Sequence, residues 1–168
     1  ANSFGDMSGG IDKAIDDFYE GRAQEAVMAA IRDRFLGELP VGMALIIPLT
    51  GPRFPFLVAA PTMRVPASVG QTINAYLSLR AVLVAVLQHN REYPTPIRSL
   101  AVPGLCTGVG GMDFGIAARQ MRSAFDNVIG GGWKDVVHPA QAPYALGPTA
   151  RMGWSWNRPG KSEEGTGS

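Results

Sequence analysis

The chain has 168 residues, of which 46% are hydrophobic and 17% are charged. This length corresponds to about one domain, and the hydrophobic content excludes an intrinsically disordered protein. Fifteen Lys and Arg residues against fourteen Asp and Glu residues leave a net charge of +1. No global field therefore steers the protein toward nucleic acid or an anionic membrane surface, and any phosphate recognition must be local.

Cysteine usage and apolar runs indicate the cellular setting. The single cysteine, Cys106, excludes an internal disulfide and a zinc site made of thiolates. The most apolar run, residues 81–87, has seven residues, whereas a membrane-spanning helix needs roughly 20. The opening residues lack the pattern of a signal peptide. We therefore predict a cytoplasmic protein in a reducing environment.

The N-terminal half contains two predicted helices followed by two predicted strands. Residues 9–19 begin with two glycines and continue with apolar residues at helical spacing. Residues 22–36 repeat the 3.6-residue period with charged residues outside the apolar stripe, which predicts an amphipathic helix. Two apolar runs, residues 41–47 and 54–60, flank a Gly-Pro turn signal and predict strands.

The C-terminal half continues this alternation. Residues 71–91 are apolar along one side and predict a long helix that covers a sheet face. Residues 97–102 predict a short strand, and the glycine-rich residues 105–111 lead from it into another amphipathic helix. Strands alternating with helices predict an α/β domain with a largely parallel sheet. We expect this domain to cover residues 1–132, followed by an irregular or disordered tail over residues 133–168.

Two glycine-rich loops, each leading into a helix, are the features most informative about function. Glycine permits positive φ and a close approach of the backbone to a ligand, while the free N–H groups and dipole of the following helix attract an anion. Two such loops facing each other would hold a diphosphate. A single loop of this kind is at least as often a plain turn.

Other catalytic and nucleotide-binding motifs are missing from the sequence. No G-x-x-x-x-G-K-[ST] motif occurs, and residues 108–113 fail the dinucleotide pattern at its last glycine, which disfavours ATP hydrolysis and Rossmann-type NAD binding. His89 and His138 have no second His or Cys at ligand spacing, so we predict no metal and no cofactor. A Ser/His/Asp triad is compatible with the spacing, but no G-x-S-x-G elbow is present.

Taken together, the two loops carry a family resemblance. Residues 2–15 read NSFGDMSGGIDKAI, and residues 103–111 read PGLCTGVGG ahead of a helix containing AARQM. Their order, spacing and intervening elements resemble the macro domain family. Its first motif runs from Asn-Ala-Ala-Asn to Gly-Gly-Gly-Val-Asp-x-Ala-Ile, and its second reads roughly Pro-x-x-Gly-Thr-Gly-Val-Tyr-Gly. The match extends over residues 1 to about 130.

The resemblance implies a fold and a function. The implied fold is a three-layer α/β/α sandwich with a mixed, mostly parallel sheet that binds ADP-ribose at the carboxyl ends of its strands. Some family members only bind the ligand, whereas others hydrolyse ADP-ribosyl esters or deacetylate O-acetyl-ADP-ribose. The implied partner is ADP-ribose or an ADP-ribosylated protein, with neither nucleic acid nor a membrane. The alternative is a degenerate macro-like interaction module without catalysis, whose docking residues would be Trp133, Tyr144, Trp154 and Trp156.

The resemblance also implies site residues in both loops. Asn2 matches the family Asn that contacts the distal ribose, and Asp12 matches the Asp that positions or activates a water in hydrolytic members. These two are the candidate catalytic residues. The other candidate ligand contacts would line the phosphates and the distal ribose, mainly through backbone N–H groups: Gly9, Gly10, Ile11, Thr107, Gly108, Val109, Gly110 and Gly111.

The same residues also have structural interpretations. Asp12, in a predicted first turn, would offset the helix dipole by about 0.3 to 1 kcal/mol. Asn2 would serve as a turn or capping amide, and the Thr107 hydroxyl would satisfy the local backbone. Ser8 and Asp16 depart from the Gly and His found in hydrolytic members at these places, so the sequence favours binding over hydrolysis.

Finally, the resemblance implies an N-terminal truncation. The family begins with about two strands and an adenine-recognising Asp before the position of Asn2. Loss of a central strand would expose two rows of backbone donors and acceptors. We therefore expect either a missing N-terminal segment or an oligomer that shares a strand. Phe114 and Trp133 are the candidates, by position, for stacking on the adenine.

Overall fold

A computed structural model describes residues 1–50 and 53–141 of the chain. The helices and strands in these ranges, in chain order, are α1 Gly10–Phe18, α2 Arg22–Phe35, β1 Leu45–Pro48, β2 Phe56–Ala59, α3 Asn74–Glu92 and α4 Phe114–Val128. Two short 3-10 helices follow at Gly132–Asp135 and Pro139–Gln141. The fold is α/β. None of the helices in the described ranges combines the length and the hydropathy that a bilayer crossing requires.

The predicted helices are present, but the predicted strands are shorter than expected. Residues 41–44 form a turn, in which the Met43 N–H donates to the Pro40 carbonyl at 3.1 Å, so β1 begins only at Leu45. In front of α3, the Thr72 hydroxyl accepts from the Asn74 N–H at 3.2 Å. That hydrogen bond forms a turn before the helix, which therefore begins three residues later than predicted.

The sheet differs from the predicted one. β1 and β2 pair antiparallel, from Leu45 opposite Ala59 to Pro48 opposite Phe56. The only parallel pairing among the described residues is a single bridge between Asn2 and Met63. The expected mostly parallel sheet is therefore wrong for this part of the chain, because a short connection joins neighbouring strands as a hairpin and a parallel pair needs a long crossover. The three-layer sandwich stays a prediction.

Residues 97–102, predicted as a strand, do not form one. The Asn90 side chain holds the start of this segment, since its Nδ2 donates to the Ile97 carbonyl at 2.9 Å and its Oδ1 accepts from the Ile97 N–H at 2.7 Å. Beyond that point Leu100 and Val102 are 37% and 38% exposed. A strand requires a partner for its backbone groups, and no described strand pairs with this segment.

Three clusters of buried side chains form the core. In the first, Val27 and Ile31 of α2 pack with Leu45 and Ile47 of β1. The second joins the end of β2 to α3 and α4 through Ala60, Tyr76, Leu79, Val82, Leu83 and Ala124. The third includes Met63, Val69, Ala75, Cys106, Met112 and Ala117. It lies beneath the second glycine-rich segment and fixes that segment to the body of the domain.

Two helices receive their N-terminal cap from a neighbouring helix. Neither α2 nor α3 has a capping side chain on its own N-cap residue. In α2, the Gln24 N–H donates to Oδ1 of Asp16 on α1 at 2.8 Å. In α3, the Tyr76 N–H donates to Oε1 of Gln120 on α4 at 3.2 Å, and Nε2 of Gln120 donates to the Thr72 carbonyl at 2.8 Å. These hydrogen bonds fix the helices in pairs.

The predicted tail begins with the two 3-10 helices. Trp133 is 57% exposed, and the Lys134 ammonium lies 5.9 Å from the centre of its ring. The other aromatic residues proposed for docking, Tyr144, Trp154 and Trp156, lie outside the described residues.

Candidate functional site

The first loop, residues 2–9, is shaped by the side chain of Asn2. Its Oδ1 accepts from the N–H groups of Phe4 at 3.0 Å and Asp6 at 3.3 Å, and its Nδ2 donates to the Asp6 carbonyl at 3.3 Å. Asn2 is buried. Its amide therefore supplies the hydrogen bonds that a turn of this shape leaves open, which agrees with the structural interpretation given above.

The middle of the first loop requires a glycine. Gly5 has a φ of +77°, and a Cβ at this position would lie 2.9 Å from Cγ1 of Val27. The loop backbone thus passes directly over the buried face of α2, with no room for a side chain. This close approach fixes the distance between the loop backbone and the buried side chains of α2.

The first loop ends at the start of α1. Gly9 is the N-cap residue of this helix, and no side chain caps it. A Cβ on Gly9 or Gly10 would meet nothing within 4 Å, so there is open space beside both residues, and Ile11 is 54% exposed. The N–H groups at a helix start without a capping side chain favour an anion.

Asp12 lies in the first turn of α1, as predicted. Its Oδ2 lies 2.9 Å from the backbone nitrogen of Ala1, and its side chain is 23% exposed. The carboxylate therefore points back toward the start of the first loop. It remains accessible to solvent beside the helix N-terminus.

The second loop, residues 105–111, is held by its own backbone. The Met112 N–H donates to the Cys106 carbonyl at 3.0 Å, and the Val69 N–H donates to the Gly110 carbonyl at 2.8 Å. A Cβ on Gly110 would lie 2.5 Å from the Cys106 carbonyl oxygen, whereas a Cβ on Gly108 would meet nothing within 4 Å. Gly110 is therefore required by close packing, and Gly108 faces open space.

The remaining candidates in the second loop differ in exposure. The Thr107 hydroxyl donates to the Gly104 carbonyl at 2.9 Å, which is the local backbone role considered above. Val109 is 67% exposed and stands at the rim of the loop. Gly111 is exposed and has a φ of +61°, a left-handed conformation that favours glycine.

The chain that follows β2, residues 62–64, lies against both loops. The N–H and hydroxyl of Thr62 donate to the Ala1 carbonyl at 3.0 and 3.2 Å. Burial raises the pKa of the Cys106 thiol to about 11. Asn2 of the first loop forms a parallel bridge with Met63, and Met63 belongs to the same buried cluster as Cys106 and Met112 of the second glycine-rich segment, so both segments pack against the chain that follows β2.

Two residues that shape this region, Thr62 and Gln24, were not predicted from the sequence. Thr62 is a buried polar residue within the apolar segment AAPTM, and that isolation in an apolar stretch was the available signal. Oε1 of Gln24 accepts from the Met7 N–H at 2.7 Å and so holds the first loop from α2. Nothing in the helical pattern distinguishes Gln24 from an ordinary polar residue.

The two candidate aromatic residues lie at opposite ends of α4. Phe114 is the first residue of this helix, directly after the second loop, and is 77% exposed. Trp133 follows the other end of α4. At 1.5 Å per residue the helix is roughly 22 Å long, so Phe114 alone lies beside the second loop.

The chain was compared with protein-family models and with curated proteins. A search of curated proteins found no match. The model of the Macro domain family matches residues 1–121, a span that covers most of the 168 residues and includes both loops. The chain therefore belongs to the macro domain family.

Proposed function

We propose that this protein binds ADP-ribose, or a metabolite or protein modification that carries an ADP-ribosyl group, between the first and second loops. The observation that supports this most directly is that both loops pack against the chain after β2: Asn2 forms a parallel bridge with Met63, and Met63 shares a buried cluster with Cys106. Open space lies beside Gly9 and Gly10 on one side and beside Gly108 on the other. Membership of the macro domain family supplies the identity of the ligand.

The proposed recognition of the diphosphate is local. The net charge of +1 provides no long-range attraction, so the positive potential at the site has to be local, and aligned backbone N–H groups are the source that we propose. The start of α1 offers such groups beside Gly9, Gly10 and Ile11. In the second loop, residues 107–110 would contribute the backbone N–H groups of the opposite wall, whereas the Gly111 N–H already donates to the Gly108 carbonyl at 3.0 Å. We assign the adenine to the exposed ring of Phe114 and the distal ribose to the second N–H of Asn2 Nδ2, whose other N–H donates to the Asp6 carbonyl.

Titration calorimetry with ADP-ribose tests the proposal. We expect saturable heat at a ratio of one ligand per chain, and weaker competition by AMP and by NAD than by ADP-ribose itself. A folded sample that gives no heat at millimolar ADP-ribose would remove the proposal. Equal affinity for AMP would instead indicate a general nucleotide binder.

We further propose that Asp12 orients a water for hydrolysis of an ADP-ribosyl ester. A carboxylate beside an anionic diphosphate is electrostatically unfavourable, because the two negative charges repel each other. A carboxylate at this position is therefore explained by a function, and orienting a nucleophilic water is such a function. The partial exposure of the Asp12 side chain leaves access for that water. The competing role of Asp12, stabilising the N-terminus of α1, needs no ligand.

Release of ADP-ribose from a modified acidic peptide separates these two roles. We expect Asp12→Ala to lower the rate by about 100-fold or more, the usual contribution of an acid or base group. Asp17→Ala is the matched control, because Asp17 lies on the same helix and is exposed, with an ion pair to Lys13 at 2.7 Å. Equal rates in the native protein and Asp12→Ala would exclude Asp12 from catalysis.

A further inference from the structure

Besides the backbone hydrogen bonds of Ser3 with Arg64 and Leu39 near its start, the first loop has a hydrogen bond to the body of the domain nearer its end, which the proposed ligand contacts do not use. The Met7 N–H donates to Oε1 of Gln24 at 2.7 Å. Met7 is buried, with Tyr19 and Ala23 in the same core cluster. The Gln24 side chain thus holds the loop two residues before Gly9, where the backbone turns into the exposed start of α1.

Gln24 is itself fixed by α1. Its backbone N–H donates to Oδ1 of Asp16 at 2.8 Å, and Asp16 belongs to the same helix whose N-terminus carries Gly9 and Gly10. These two hydrogen bonds and the connecting chain close a ring that runs from α1 through Asp16 to Gln24, from Gln24 to Met7, and along the loop back to the start of α1. The orientation of the glycine N–H groups therefore depends on the Gln24 acceptor.

We infer that Gln24 is a positioning residue for anion recognition, acting through Met7 on the N–H groups at the start of α1. This inference rests on the proposed binding of ADP-ribose. Gln24 lies on α2 and touches the ligand site only through the loop. Its effect is to keep the first loop in the shape that aligns Gly9 and Gly10 before the ligand arrives, so that binding does not have to order the loop.

The test compares two substitutions that differ in one hydrogen-bond acceptor. Gln24→Met keeps the length of the side chain but removes the acceptor, whereas Gln24→Glu keeps a carboxylate oxygen for the Met7 N–H. Gln88→Met, on the exposed face of α3, is the matched control. Affinity for ADP-ribose is measured by calorimetry at about 0.5 M salt, which screens the charge that Gln24→Glu adds. Amide exchange of Met7 is followed in each variant.

We expect Gln24→Met to weaken ADP-ribose binding roughly three- to tenfold, the equivalent of one hydrogen bond, and to speed exchange of the Met7 amide. Gln24→Glu should restore both quantities to near the native values, and Gln88→Met should change neither. A purely structural role for Gln24 would lower the midpoint of thermal unfolding without changing affinity well below that midpoint.

Two results would overturn the inference. One is native affinity in Gln24→Met, and the other is an equal loss in Gln24→Met and Gln24→Glu. If Gln24→Met does not fold, the same comparison is made at the hydrogen bond between the Gln24 N–H and Asp16. Asp16→Asn keeps an acceptor for this N–H, whereas Asp16→Ala removes it. A native protein that fails to bind ADP-ribose would instead refute the proposed function, and this inference with it.

Discussion

The first and second loops form opposite walls of the proposed site, yet different interactions hold them. Apart from the backbone hydrogen bonds of Ser3 with Arg64 and Leu39, side chains shape the first loop, through the Asn2 amide within it and Gln24 on the adjacent helix. Backbone hydrogen bonds shape the second loop, and Gly110 packs against the Cys106 carbonyl with no room for a Cβ. We therefore expect removal of one side-chain acceptor to destabilise the first loop. The second loop should be destabilised mainly by substitutions that add a side chain to a tightly packed glycine.

The largest effect is expected from a methyl group in the second loop. Gly110→Ala would place a Cβ 2.5 Å from the Cys106 carbonyl oxygen and 2.7 Å from Cγ2 of Val69, so the backbone must move. We expect the free energy of unfolding to fall by about 3 kcal/mol, the upper range for overpacking, together with loss of ADP-ribose binding. Urea denaturation and calorimetry measure the two quantities.

Gly108→Ala is the control for this substitution, because its Cβ would meet nothing within 4 Å. We expect a change in unfolding free energy below about 1 kcal/mol. Similar destabilisation by Gly108→Ala and Gly110→Ala would contradict the role given to close packing in the second loop.

Truncation of one side chain should have an intermediate effect in the first loop. Asn2→Ala removes the acceptor for the N–H groups of Phe4 and Asp6, and we expect it to lower the free energy of unfolding by about 1 to 2 kcal/mol. Asn2→Asp retains an acceptor and should recover most of this stability in a urea titration. If Asn2→Asp is as destabilising as Asn2→Ala, the hydrogen bonds of Oδ1 do not hold the loop.

A smaller effect should appear at alkaline pH through Cys106. Burial raises the pKa of this thiol from 9.0 to about 11 in the folded protein. Between these values the unfolded chain binds fewer protons than the native protein, so the free energy of unfolding falls as pH rises. The loss begins near pH 9, reaches about 1 kcal/mol at pH 10 and is complete only above the folded pKa.

The measurement is urea unfolding of the native protein and of Cys106→Ala at pH 7 and at pH 10. The variant removes this thiol and leaves every other alkaline titration in place, so the difference between the two proteins isolates the contribution of Cys106. Identical pH dependence in both proteins would show that the thiol is not protected from solvent where the second loop packs against Met63.

The periodicity of apolar residues predicted the helices better than it predicted the strands. The apolar stripe of α2, through Val27 and Ile31, is the face that packs on β1, because a 3.6-residue repeat identifies the buried side of a helix whatever covers it. The strand predicted over residues 97–102 failed for the opposite reason. Apolar character does not supply a partner for backbone hydrogen bonds, and within the described residues that segment has none.

By itself, the sequence determined the order of the helices, the placement of Asp12 in a first turn and the two glycine-rich loops, because these depend on neighbours within a few positions along the chain. Only the tertiary structure decided that Met63 lies against both loops, that Gln24 holds Met7, and that Asp16 and Gln120 cap helices other than their own. Each of these contacts pairs residues from separate elements. Their donors and acceptors meet only after burial of the apolar faces has brought those elements together.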